Sequence, residues 1–336
     1  MRVPQPFDLA LVVQSHGWYD LAPWSWDATR RLLARPLRLS SGRVVQAELV
    51  EGPGGLILRA LAAGRTSAAE SAEIRTQLAT CLALQEDLTP FRELATALEV
   101  RRATVRDTTA RAADLPDLRW ALERGAGRLL RSPTVFEDAV KTLCTTNCTW
   151  ASTRTMVANL CRRLGDPVPG AGRPADATAR AFPTPEAMAG LSERRYRDEL
   201  RVGYRAPFLR RLARQVASGR LDLEALRDPS LPSAALLDRL LALDGFGPYA
   251  AQHLARLLGR HDFLALDSWT RQKLRTLRGR RRQPTDRAIA RWYAPYGPWA
   301  GLAMWLEVTA DWFGEAPPVQ PTQPGGGVAE GGSRSS

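Results

Sequence analysis

From about residue 68 onward, apolar residues recur every three or four positions, the period of a helix buried along one side. The pattern predicts helices near 68–86, 88–99, 114–124, 134–146, 150–164, 184–189, 192–200, 206–218, 221–227, 233–243, 248–259, 267–277, 285–294 and 298–313. Stretches rich in Pro and Gly at 165–174 and 279–284 read as loops. Ahead of residue 68 the period changes. Val44 to Val50 and Leu56 to Leu61 flank Gly52-Pro53-Gly54-Gly55 and read as a β-hairpin. Phe7 to Val13 carries a further strand signal, and an aromatic stretch with Trp18, Tyr19, Trp24 and Trp26 lies between. Residues 317–336 hold Gly, Pro, Ser and Gln without an apolar pattern and are expected to be disordered. The expected fold is α+β and mainly α: a small antiparallel sheet unit over 1–66, then a helical body over 67–316.

Composition changes this picture in three ways. With 336 residues, 44% of them hydrophobic, the chain can bury a substantial core. Lys+Arg number 47 against 35 Asp+Glu, a net charge of +12. That balance suits a polyanionic partner, because cations that neutralise phosphates release counterions. Nearly all of the cations are arginine, since Lys141 and Lys273 are the two lysines. Arginine grips phosphate through its planar fork but performs no amine chemistry, so a Schiff-base mechanism has only those two candidates. No apolar signal stretch opens the chain and no apolar run could cross a bilayer. Cys81, Cys144, Cys148 and Cys161 read as buried free thiols, Cys144 and Cys148 being one helical turn apart in an apolar pattern. A reduced, cytoplasmic protein without a metal site is expected. His16, His253 and His261 lie scattered along the sequence.

Candidate chemistry concentrates between Ser233 and Leu277. An amphipathic helix ends in Leu243-Asp244-Gly245-Phe246-Gly247, and Pro248 opens a second helix, so the hairpin spans 233–259. Two glycines around one apolar residue permit a tight turn, and proline suits a first helical position. The N–H groups at that helix start offer a setting for a phosphate. Asp267 follows Gly247 by 20 residues and caps the next expected helix. Its carboxylate then sits at a positive helix end, which favours the ionised form.

Leu243 to Ala251, together with Leu266-Asp267-Ser268-Trp269-Thr270-Arg271, resembles the hairpin and catalytic aspartate of the helix-hairpin-helix (HhH-GPD) DNA glycosylases. Phe136 to Cys161, Phe182 to Pro185, Val202 to Ala206 and Tyr296 to Gly301 are similar to further landmarks of the 8-oxoguanine glycosylase branch, as are Phe7-Asp8-Leu9 and Gln14-Ser15. The resemblance implies a two-lobed helical body and a damaged base flipped out of double-stranded DNA. It makes Asp267 the catalytic group and places Gly245, Phe246, Gly247, Asn147 and Arg205 on the DNA, with Asn147 filling the vacated space and Arg205 touching the partner base. Bifunctional members carry a lysine where this chain has Tyr249. Lys141 and Lys273 are read as surface or phosphate-contacting cations, so a monofunctional enzyme using Asp267 and water is expected. Met304, Val308 and Val13 replace the residues expected of an 8-oxoguanine pocket, and Ser152 replaces a second arginine. Tyr249, Trp269, Trp18 and Trp150 are candidate walls of a pocket for an alkylated, 3-methyladenine-type purine, whose positive charge suits aromatic faces. An oxidised purine, or a non-catalytic DNA clamp, are the alternatives. No iron–sulfur cluster is expected, because no cysteine follows Cys161. A monovalent cation at the hairpin is the one ion the resemblance admits. The working form is expected to be a monomer without a membrane partner.

Overall fold

The computed structural model describes residues 1–62, 64–104, 115–170 and 176–314. The tail expected over 317–336 lies outside the described residues, as do parts of the stretches expected around 114 and 165–174. The chain begins with a short helix, α1 (Leu9–Val13), and then forms a sheet of four strands. These are β1 (Ser25–Asp27), β2 (Leu32–Arg38), β3 (Val44–Gly52) and β4 (Gly55–Leu61), antiparallel and in sequential order. The predicted hairpin is β3–β4. Its turn pairs Gly52 with Gly55, and Gly54 takes a left-handed φ of 75°.

Two expectations for this region are corrected. Phe7–Val13 contains a helix, not a strand. A continuous apolar run has no alternation to mark it as a strand, and Asp8 caps the helix by accepting from Ala10 N at 2.9 Å and Leu11 N at 3.4 Å. Strand β2 was not foreseen, because Arg35 and Pro36 interrupt its pattern. Proline is tolerated here because β1 pairs only with Leu32 to Ala34. At Pro36 the strand is therefore an edge on that side, and a missing N–H breaks no ladder.

The helical body comprises α2 (Ala68–Cys81), α3 (Thr89–Thr104), α4 (Arg119–Arg124), α5 (Val135–Thr145), α6 (Trp150–Leu164), α7 (Pro185–Ala189), α8 (Glu193–Asp198), α9 (Ala206–Ala217), α10 (Ser233–Leu241), α11 (Pro248–Leu257), α12 (Ser268–Leu277), α13 (Asp286–Tyr293) and α14 (Ala300–Thr309). The helix foreseen at 221–227 is a 3-10 turn over Glu224–Arg227. The one foreseen to end near 86 stops at Cys81, where Ala83 turns left-handed with φ 52°.

Two cores divide these elements. The first joins the inner sheet face (Leu33, Leu37, Val45, Leu49) to α5, α6, α9, α10 and α11. The second holds Phe91, Trp120, Leu274, Ile289 and Met304, from α3, α4, α12, α13 and α14. The sheet is fastened to the first core by charge. Arg35 on β2 donates to Glu137 on α5 at 2.9 Å, and Lys141 donates to the same carboxylate at 2.7 Å, all three side chains being buried. Lys141 is thus an interior group and not the surface cation expected. Trp18 reaches the same helix, its indole N–H donating to Asp138 at 2.8 Å. Cys81, Cys144 and Cys161 are buried free thiols, whereas Cys148 is exposed because it falls past the end of α5.

Burial opposes ionisation of Glu137, but the Arg35 and Lys141 charges hold its carboxyl down, to about 2 from 4.5. Being lowered in the folded state, this group stabilises the fold above its unfolded value and ceases to do so as pH falls through the folded one. Glu137→Ala, which strands two buried cations, should cost about 3–5 kcal/mol in urea unfolding at pH 7. The deficit relative to the parent should shrink between pH 4.5 and about 2.

Candidate active site

The hairpin arises where α10 ends at Ala242 and Gly245 turns the chain with a left-handed φ of 83°. A Cβ at Gly245 would stand 2.9 Å from the Phe208 ring and 3.1 Å from Leu143, so both conformation and space require glycine. Gly245 and Gly247 are exposed, while the Phe246 side chain between them is buried in the first core. Phe246 can therefore offer its backbone, but not its ring, to a ligand. Gly247 is the N-cap of α11 and supplies no side chain, and Pro248 stands in the first turn. The next N–H groups are left for an outside acceptor.

Helix α11 carries Tyr249, Gln252, His253 and Arg256 at helical spacing along one face. The chain then returns through Leu264, Ala265 and Leu266 to Asp267, the N-cap of α12. One Asp267 oxygen accepts from Thr270 N–H at 2.7 Å, as a cap should. Its other oxygen has no hydrogen bond among the described residues. The carboxylate is partly exposed, and its charge acts on Tyr249, Arg256 and Arg271. Burial first, and then Asp267, pushes the Tyr249 hydroxyl up to about 12, so it remains a proton donor at neutral pH.

Behind Tyr249 lies an aromatic cluster that sequence reading missed. Tyr249 stacks on His253 with ring centroids 5.9 Å apart. His253 is 5.2 Å from Trp18 and 6.0 Å from His16. The two histidines, scattered in sequence, are neighbours in space. Burial drives His253 well below its ordinary value and His16 down to about 3, so both rings are neutral. His16 donates from Nε2 to the Leu130 carbonyl at 2.6 Å, which leaves Nδ1 a bare acceptor. His16 Nδ1 and His253 Nε2 are both buried without a partner among the described residues. No local motif marks this pair; only the helical spacing of His253 to Tyr249 could have drawn attention to it.

Of the other proposed pocket residues, Trp269 is exposed and packs with Trp305 and Trp312 at 6.2 and 5.7 Å. Trp18 is core, one ring further in than His253. Trp150 stands elsewhere, at the start of α6, with its N–H on Asp20 at 2.7 Å and its ring against Gly17. Val13, Met304 and Val308 are fully buried.

Asn147 occupies a left-handed turn (φ 47°) between α5 and α6 and is exposed. Its amide donates to the Tyr204 hydroxyl at 3.2 Å, and Tyr204 is itself half exposed. Tyr204 was quoted in a motif but not singled out. The two side chains form an exposed, hydrogen-bonded pair. Arg205, expected to touch the partner base, is instead buried. It donates to the Leu143 carbonyl at 3.0 Å and also to the Thr146 carbonyl, with its guanidinium 4.6 Å from the Tyr204 ring centroid. Its geometry serves to hold the Asn147 turn. Among the described residues, no group of three or more His, Cys, Asp or Glu could hold a metal, and no helix is long and apolar enough to cross a membrane.

Residues 140–294, from α5 to the start of the final turn before α14, match the family model described as HhH-GPD superfamily base excision DNA repair protein. Over these residues the chain is similar to the HhH-GPD superfamily. The matched region holds the hairpin, Asp267, Asn147 and Tyr204. Similar solved structures agree on the fold over almost the whole chain. The 3-methyladenine DNA-glycosylase from Archaeoglobus fulgidus is 19% identical, with 93% of this chain and 98% of that one covered at a TM-score of 0.64. MBOgg1, solved with a low-affinity DNA ligand, is 21% identical over 92% and 93%, with a TM-score of 0.63. The 8-oxoguanine glycosylase/lyase of Clostridium acetobutylicum is 16% identical over 88% and 93%, with a TM-score of 0.58. A search of curated proteins gives no match.

A methyl group at Gly245 would strain this hairpin by on the order of 1–3 kcal/mol. Gly245→Ala should weaken binding to damaged and undamaged duplexes alike in a fluorescence-anisotropy titration. A loss confined to damaged duplex would contradict a backbone-clamping role for the turn.

Proposed function

We propose that this chain is a monofunctional DNA N-glycosylase of base excision repair, working as a monomer on damaged double-stranded DNA. The flipped base would enter beside Tyr249, and the glycosidic C1′–N bond would break with its electron pair leaving on the base. Water would add to the oxocarbenium-like C1′, passing a proton toward Asp267, whose negative charge stabilises that cation. The observation that carries the reading is the pairing of Asp267 with Tyr249 where a nucleophilic amine would otherwise stand. Neither lysine is available for amine chemistry: Lys141 is buried on Glu137, and Lys273 is bound to Asp311 at 2.5 Å.

Alkylated purines of the 3-methyladenine type are the proposed substrate class. A cationic base is already a good leaving group, and the Tyr249 ring, whose hydroxyl feels the Asp267 charge, offers it an aromatic face. A second reading, an oxidised purine, is favoured by the unpartnered ring nitrogens of His16 and His253, which could hydrogen-bond a neutral lesion. A duplex panel carrying 3-methyladenine, hypoxanthine and 8-oxoguanine separates the two by which base is released.

Asp267→Asn retains a good capping residue and should fold. It should bind lesion DNA normally but release base at least about 10²-fold more slowly. Unchanged release would remove Asp267 from the mechanism. Borohydride with an abasic duplex should trap no covalent adduct with the parent protein, and efficient trapping would overturn the monofunctional reading.

A further inference from the structure

Ala265 is buried, is not glycine, and has a left-handed φ of 49° two residues before Asp267. Such a conformation costs an L-residue on the order of 1–3 kcal/mol and persists only where its surroundings over-determine it. Here the determinants come from α11. The peptide unit that joins Leu264 to Ala265 is held at both ends. Gln252 Oε1 accepts from the Ala265 N–H at 2.8 Å, and Arg256 Nη2 donates to the Leu264 carbonyl at 2.8 Å. Gln252 and Arg256 are four residues apart and so share a face of the helix, the face that also carries Tyr249 and His253.

Arg256 is an unusual choice for this duty. Its side chain is buried, and no carboxylate bonds to it among the described residues. Its guanidinium carbon stands 4.9 Å from the Trp305 ring centroid, a cation–π contact that also ties α11 to α14. Burial draws the guanidinium down to about 10, with Tyr249 and Asp267 acting in the opposite sense, so it is still charged at neutral pH. The charged and titratable groups around Asp267 are Tyr249 and Arg256 from α11 and Arg271 from its own helix. Arg271 is committed to Asp286 on α13 through two bonds of 2.7 and 2.9 Å. His253, on the same face, is neutral.

We propose that Gln252 and Arg256 form a two-point clamp on the Leu264–Ala265 peptide that positions Asp267. Both are positioning residues and neither touches the reacting atoms. Its consequence for base release rests on the reading of Asp267 as the working carboxylate.

Gln252→Ala, Arg256→Gln and Arg256→Lys test it. Hydrogen exchange at the Ala265 amide should quicken at least about tenfold in Gln252→Ala and Arg256→Gln, while amides of the β3–β4 hairpin keep their rates. In single-turnover and steady-state base release, both variants should lose kcat by about 10²-fold with the KM for DNA unchanged, as expected of a displaced catalytic group. Arg256→Lys should not restore full kcat, since an ammonium keeps the charge but not the planar fork. Unaltered Ala265 exchange in Gln252→Ala would overturn the clamp, and that readout stands whether or not the protein releases any base. A loss carried by KM would place these residues in DNA binding instead.

Discussion

The arrangement depends on the burial of one helix between two cores. From Ala250 to Leu257, α11 is buried at every position but Gln252, so it has no solvent face along most of its length. Its apolar residues belong to the first core, while the strap it holds packs Leu264 and Leu266 against the second. The catalytic candidate is thus carried by one lobe and registered by the other. A helix in that position cannot shift without opening a seam, and a seam of apolar side chains is costly to open. Polar groups on such a helix must find partners within the protein, which is why Gln252 and Arg256 end on a backbone peptide and why the unpartnered His253 nitrogen stands out.

The same burial sets the protonation states around the site. His16 and His253 are kept neutral, Tyr249 is kept protonated, and Arg256 stays charged although weakened. The surroundings of Asp267 and Tyr249 therefore combine one buried cation and several neutral aromatic rings. In the function proposed above, discrimination among bases would pass to the neutral groups: aromatic faces reward charge or stacking, and ring nitrogens reward a complementary edge. This division is why an alkylated and an oxidised purine remain the two substrate classes worth separating.

Much of this was legible in the sequence, and the failures are instructive. The hairpin was readable because Gly245 and Gly247 bracket Phe246 and a proline follows, each residue having a local steric reason. Asp267 was readable as a cap for the same reason. The β3–β4 hairpin followed from alternation and its glycine turn. What could not be read was set by distant partners. Lys141 looks like a surface cation until Glu137 and Arg35 are brought round it. Arg205 looks free to reach DNA until the end of α5 offers it carbonyls. His16 and His253 are 237 positions apart and meet only because α1 and α11 border one core. Leu9 to Val13 defeats periodicity because every position is apolar, and the deciding residue, Asp8, stands outside the run.

Helix α5 ties the Asn147–Tyr204 pair to the helix that carries Tyr249. It is buried from Val135 to Cys144, packs against α11, and is pinned to the sheet through Arg35–Glu137 and to the aromatic cluster through Asp138–Trp18. Its last carbonyls are taken by Arg205, and beyond them the chain turns left-handed into Asn147. A group that enters a base stack must resist being pushed back, and a side chain on a frayed helix end would yield. Here the helix end is closed by a buried guanidinium, and Tyr204 braces the asparagine from the side. Because α5 also packs against α11, the Asn147 turn and the helix that carries Tyr249 and holds the Asp267 strap share one buried support. In the function proposed above, that support would fix the separation between the group entering the duplex and the site receiving the base.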